Sequence, residues 1–246
     1  MNSEFAYSLF PHKRNQDVIV KGSYFTKTGD ELTFYSITDG WNNPEKMLDN
    51  KSGRIVATRV AQEFPKLFLK SLEKVSFKLS QAGDIAYKAA NDMDKKVLSW
   101  YPTRASCVGT FLFEISNKTV IVAVGTITTL LWKNDSWEAP KEIGDYILDP
   151  NKYESGGQTF FGRGELKYNP LYTAKTDTLV VDNKTPIFVA TDGLLMEKRI
   201  MTLEELNVFT RKVTIKDPSK FIQKLGEYIK SIRDKQKDDI SIFIKI

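Results

Sequence analysis

Three aspartates stand at the ends of strongly apolar runs, and few folds can hold such residues. Asp39 closes Phe34-Tyr35-Ser36-Ile37-Thr38, Asp192 closes Ile187-Phe188-Val189-Ala190-Thr191, and Asp238 opens Ile240-Ser241-Ile242-Phe243-Ile244. A carboxylate beside an apolar run is costly unless it is solvated, paired or shared with a cation. Asp39 and Asp192 follow their strands, whereas Asp238 precedes its own. Antiparallel pairing of the last strand with either of the others would therefore bring the carboxylates to one edge of a sheet. The pattern predicts a divalent-cation site drawn from distant parts of the chain.

The composition narrows the chemistry. Cys107 is the only cysteine and His12 the only histidine, which excludes an internal disulfide, a thiolate metal cluster and a histidine-rich zinc site. Cys107 beside Val108 reads as a small buried hydrophobe rather than a nucleophile. The net charge of +5 comes from 36 basic residues interleaved with 31 acidic ones, and the densest cluster, Lys230 to Lys237, lies beside a helical pattern. Such a distribution is that of a solvated face, not a nucleic-acid surface, so no nucleic-acid partner is expected. No apolar run is long enough to span a bilayer, and the first residues lack the pattern of a signal peptide. A cytoplasmic protein with no membrane partner is the expectation.

No linker or fixed-period repeat divides the 246 residues, so a single domain over 1–246 is predicted. Val18 to Phe25 and Glu31 to Thr38 read as strands around Thr28-Gly29-Asp30. Ser52 opens a helical pattern through Phe68, which Pro65 is expected to kink or split. A second helix runs from near Ser80 towards Trp100. Gly109 to Ile115, Thr119 to Gly125 and Thr128 to Trp132 read as a three-strand meander. Lys133 to Lys175 is irregular and resembles a surface flap. Its glycines lack the helix and the Lys-Ser/Thr of a phosphate-cradling loop. Leu179 to Val181 and Pro186 to Thr191 are strands. Thr202 and Glu205 form a capping box for a short helix, and Ser219 opens an amphipathic helix before the closing strand. This order predicts an α+β fold, a four-layer α-β-β-α sandwich of two antiparallel sheets flanked by helix pairs.

Hard cations such as Mn2+ or Mg2+ take oxygen ligands. A glycine after each of the first two aspartates, Gly40 and Gly193, lets backbone approach closely and frees a carbonyl as a further ligand. A single Asp-Gly is ordinarily a turn signal, but two copies at strand ends together with Asp238 favour a shared site.

These residues also carry a family likeness. Ala190-Thr191-Asp192-Gly193-Leu194 resembles the Ala-Thr-Asp-Gly-Leu element of the metal-dependent serine/threonine protein phosphatases of type 2C, and Asp238-Asp239-Ile240-Ser241 resembles their final Asp-Asn-x-Ser/Thr element. Weaker matches are Asn15-Gln16-Asp17, Thr38-Asp39-Gly40, Gly109-Thr110 and Val122-Ala123-Val124-Gly125, in family order along nearly the whole chain.

The resemblance implies that Asp39 bridges two metals, that Asp192 and Asp238 complete one of them, and that the Gly40 carbonyl helps hold the other. These aspartates would be the catalytic residues, hydrolysing phosphoserine or phosphothreonine through a water acidified by one or two Mn2+ or Mg2+ ions. Arg14 is the first choice for the residue that clamps the substrate phosphate, with Lys13 beside it and His12 in the family's register. A phosphoprotein substrate is implied, with a cognate serine/threonine kinase or its target as partner.

The departures set the alternative. Gln16 stands where the family has a glutamate for the second metal, Thr126 replaces an aspartate, Trp41-Asn42-Asn43 replaces a glycine-rich continuation, and Asp17 remains as a compensating carboxylate and further metal ligand. A catalytically impaired relative that binds a phosphoprotein or partner without hydrolysis is the second reading.

Overall fold

The computed structural model describes residues 4–11, 16–42, 52–100, 105–125, 127–140, 161, 176–195, 200–232 and 239–246. Two five-stranded antiparallel sheets stack face to face. The first has the order β1 (Phe5–Phe10), β10 (Ile240–Lys245), β9 (Ile187–Ala190), β6 (Thr128–Lys133) and β7 (Ser136–Glu138). The second has the order β2 (Val18–Phe25), β3 (Glu31–Asn42), β4 (Ala105–Ile115), β5 (Lys118–Val124) and β8 (Thr176–Asp182).

Side-chain alternation assigns each strand residue to a layer. On β3, Phe34 joins a core with α1 (Ser52–Glu73) and α2 (Ala82–Trp100), while Tyr35 and Ile37 join the core between the sheets. On β10, Ile240, Ile242 and Ile244 face α4 (Leu203–Lys212) and α5 (Pro218–Ser231), while Phe243 turns to the inter-sheet core. Three cores in four layers result, as the sequence predicts. Asp39 shares the parity of Tyr35 and Ile37, so β3 carries it on the face turned towards the other sheet.

Pro65 does not break its helix. α1 runs unbroken for 22 residues with Pro65 buried inside it. Proline leaves the carbonyl four residues earlier, that of Ala61, without its helical donor. The buried Ser36 hydroxyl of β3 donates to that carbonyl at 2.8 Å, so the sheet supplies what the helix lacks. Packing of Phe64 on Phe111 and of Phe68 on Phe113, with ring centroids 4.3 and 4.4 Å apart, holds the helix against β4.

The expected meander is also corrected. β4 and β5 pair as a hairpin, but β6 leaves for the other sheet and pairs with β9. Gly125, at φ +91°, makes the turn out of β5. Likewise β8 and β9, adjacent in sequence, belong to different sheets. Hydrophobic alternation gives a strand its faces but not its neighbour, which explains the departure of β6.

Inside the stretch read as irregular, Ser136–Glu138 folds back on β6 around Asn134 and Asp135, both at positive φ. The remaining described residue of that stretch beyond Pro140, Phe161, is fully buried and bridges Cys107 of β4. β1 is an unpredicted strand that pairs along β10.

Candidate active site

The site is built where the two sheets open at one end. Asp17 lies just before β2, whose register sets Val18 opposite Thr38 and therefore brings Asp17 alongside Asp39. In the facing sheet, β9 ends at Ala190 and is followed by Thr191 and Asp192, while Asp239 leads into β10. Antiparallel pairing of Ala190 with Ile242 places those two ends side by side. The carboxylates thus gather across two sheets, not along the edge of one.

A buried hydrogen-bond set ties the two sheets together. Asp17 is 3% exposed, and its Oδ2 accepts from the Thr191 hydroxyl at 2.7 Å and from the Ser241 hydroxyl at 2.9 Å. The Thr191 Oγ1 in turn accepts the backbone N–H of Ser241 at 2.8 Å. Beside it, the backbone N–H of Gln16 donates to Asp239 Oδ2 at 2.5 Å.

Two close backbone approaches lock the same region. A Cβ at Gly193 would strike the Asp239 carbonyl, and one at Gly40 would strike the Gly53 carbonyl at the start of α1. Only glycine leaves room at these positions. Gly193 is the second residue of α3 (Asp192–Leu195), which sets Asp192 between Thr191 and this contact.

The electrostatics are those of crowded acids. Burial pushes the Asp17 carboxyl up from 3.8 to about 7; the Asp239 charge adds to the rise, while the Thr191 and Ser241 hydroxyls and the neighbouring Asp39 carboxyl pull the other way. Burial, with the charge of Asp39 adding to it, lifts the Cys107 thiol well above its ordinary value. Cys107 is 1% exposed on the helix-facing side of β4, consistent with a packing residue and not a nucleophile.

The donor set fits a hard divalent cation. Asp17 Oδ1 is buried with no hydrogen-bond partner, and the charge of Asp239 acts on the same carboxyl. The donors here are oxygens, the ligand type that Mn2+ and Mg2+ take. Among the described residues, no three His, Cys, Asp or Glu side chains form a metal-holding group by themselves. Asp238, expected to complete the set, lies outside the described residues, as do Arg14, His12, Lys13 and Thr126.

Of the predicted site residues, Asp17, Asp39, Gly40 and Asp192 are brought to this one end. The sequence reading missed the parts played by Thr191, Ser241 and Asp239. A signal for the first two was present, since a hydroxyl residue immediately precedes Asp192 and another follows Asp239 by two positions. A polar residue in a buried strand needs a partner, and Asp17 is that partner.

The fold is that of the type-2C protein phosphatases. The catalytic domain of the serine/threonine protein phosphatase PstP, solved with two manganese ions, superposes with a TM-score of 0.62 at 11% identity over 99% of this chain and 97% of that one. A serine/threonine phosphatase of S. agalactiae gives 0.61 at 13% identity over 98% and 99% of the two chains. A C. elegans sex-determining protein gives 0.66 at 13% identity over the whole of this chain and 65% of that one. No family profile and no curated protein matches the sequence.

Proposed function

We propose that this protein hydrolyses phosphoserine or phosphothreonine in a phosphoprotein, using one or two Mn2+ or Mg2+ ions. The observation that carries the reading is the meeting of Asp17 with Thr191 and Ser241, which draws Asp39, Asp192 and Asp239 to one mouth of the fold. Asp17, Asp39, Asp192 and Asp238, with the Gly40 carbonyl, are the residues that would hold the cation. When bound, it supplies positive charge for the phosphoryl oxygens and acidifies water.

The chain's own residues do the rest. Thr191 and Ser241 hold Asp17 in place, and the Gly193 contact fixes the backbone that carries Asp192. Arg14 is the proposed phosphate clamp. Cognate kinases or their targets are the proposed partners.

Gln16 favours a second reading. It is 4% exposed, its Nε2 is buried without a partner, and its side chain brings no charge to a site meant for cations. In that reading the protein binds a phosphoprotein without turnover.

Hydrolysis of a phosphopeptide or an aryl phosphate with Mn2+ separates the two. Turnover that needs the metal and is abolished in Asp192→Asn supports the enzyme. Activity unchanged in that variant would reject the site, and phosphopeptide binding without turnover would establish the second reading.

A further inference from the structure

The geometry points to Arg54 as a positioning residue that sets the cation affinity of the carboxylate cluster from the first turn of α1. The inference rests on the cation reading given above and concerns a residue outside the candidate ligand set.

Arg54 reaches the segment ahead of β2 through its side chain, and its peptide with Gly53 lies beside β3. Its guanidinium Nη1 donates to the Asp17 carbonyl at 3.3 Å, 37 positions away. Its backbone belongs to the Gly53–Arg54 peptide against which Gly40 is pressed, with Arg54 N 3.1 Å from where a Gly40 Cβ would stand. The Arg54 side chain therefore reaches the backbone of Asp17, while its peptide with Gly53 packs where Gly40 leaves room. Thr58 braces it from within the helix, donating its hydroxyl to the Arg54 carbonyl at 2.8 Å.

The anchor is firm because α1 is firm. Val56, Ala57, Val60 and Ala61 are all fully buried against the sheet, so the first turn cannot shift without moving that core. The bond to Asp17 falls on a backbone carbonyl, so it fixes where the residue sits without neutralising its carboxylate. Asp17 presents one oxygen to Thr191 and Ser241 and leaves the other unpartnered. A small displacement of its backbone would pull that arrangement out of register. Partners of this kind, one step removed from the metal, ordinarily change affinity by about ten to a hundredfold.

Two effects of removing Arg54 have opposite signs, which makes the inference testable. Loss of positioning weakens cation binding, whereas loss of a nearby positive charge strengthens it. Calorimetric titration of the full chain with Mn2+ reads the net effect directly, without a turnover assay. Arg54→Ala is expected to weaken binding at least about tenfold, with the melting temperature in chelator little changed, while Arg54→Lys, which keeps a donor, stays within about threefold of the parent. If Arg54→Ala is too unstable to titrate, Arg54→Met retains the aliphatic stem and is expected to show the same loss.

Unchanged or tighter Mn2+ binding in the Ala or Met variant would overturn the inference while leaving the cation reading intact. A parent protein that binds no Mn2+ would overturn both.

Discussion

Asp17 and Ser241 stand 224 positions apart, yet the Ser241 hydroxyl donates to the Asp17 carboxylate at 2.9 Å inside the protein. That bond joins the segment opening one sheet to an interior strand of the other. The burial of Asp17 at that junction, which this bond only partly offsets, dictates how stability should respond to pH.

Asp17 keeps its proton more firmly folded than unfolded, its value rising from 3.8 to about 7. The resulting stabilisation is fully present below pH 3.8 and is lost as pH rises towards about 7. In chelator, the melting temperature should therefore fall across that window, and Asp17→Asn should flatten the dependence. Mn2+ should reverse it by favouring the ionised form, with proton release measurable by calorimetry in two buffers.

Ser36 and Pro65 form a compensating pair. Ser36→Ala should cost about 1–3 kcal/mol, because it strands the buried Ala61 carbonyl. Pro65→Ala restores a helical N–H to that carbonyl, so the double variant should be less destabilised than Ser36→Ala alone. Urea unfolding of the four proteins gives the coupling. Additive effects would show that the hydroxyl is not the substitute donor.

Gly193→Ala should destabilise the fold by about 2 kcal/mol or more and abolish the proposed hydrolysis, since the new Cβ meets backbone and not a movable side chain. Gly83→Ala, where nothing lies within 4 Å, provides the control, with little change in either property. Melting and turnover measured together check both.

Trp137 pins β7 to α4: its indole N–H donates to Thr210 Oγ1 at 2.9 Å, and its backbone N–H donates to Asn207 Oδ1 at 2.6 Å. Trp137→Ala should cost about 3–5 kcal/mol in urea unfolding. Thr210→Val should cost only about 1–2 kcal/mol, the share due to the indole's lost acceptor.

Lys245 is a buried cation far along the sandwich. Its Nζ donates to the Asn183 carbonyl at 2.7 Å and lies 3.7 Å from Glu114 Oε1, and burial lowers its pKa. Stability should accordingly rise with pH through the range below the ordinary lysine value, the sign opposite to that of Asp17. Lys245→Met alone should destabilise by leaving Glu114 unpaired, and adding Glu114→Leu should recover much of the loss. Thermal melts of the two variants would decide it.

The layered architecture was legible because strand alternation and helical spacing each report one buried face, and β3, α1 and β10 show them clearly. Strand partnership was not: β6 read as the third strand of a meander with β4 and β5, but it pairs in the other sheet, because a run of apolar residues carries no label for its partner. The candidate site was half legible. Asp39 and Asp192 announce themselves by closing apolar runs, but Arg54 lies among ordinary residues at a helix start, and its contact with Asp17 depends on how α1 docks. The Pro65 helix shows the same limit, since the donor that rescues it lies on another element.

β10 lies second in its sheet, between β1 and β9, and hydrogen-bonds to both. Removing Ile240–Lys245 would leave two strands with bare pairing edges and no link between them, whereas removing an edge strand such as β7 would bare only one. The segment that completes the acid cluster is therefore also the keystone of its sheet.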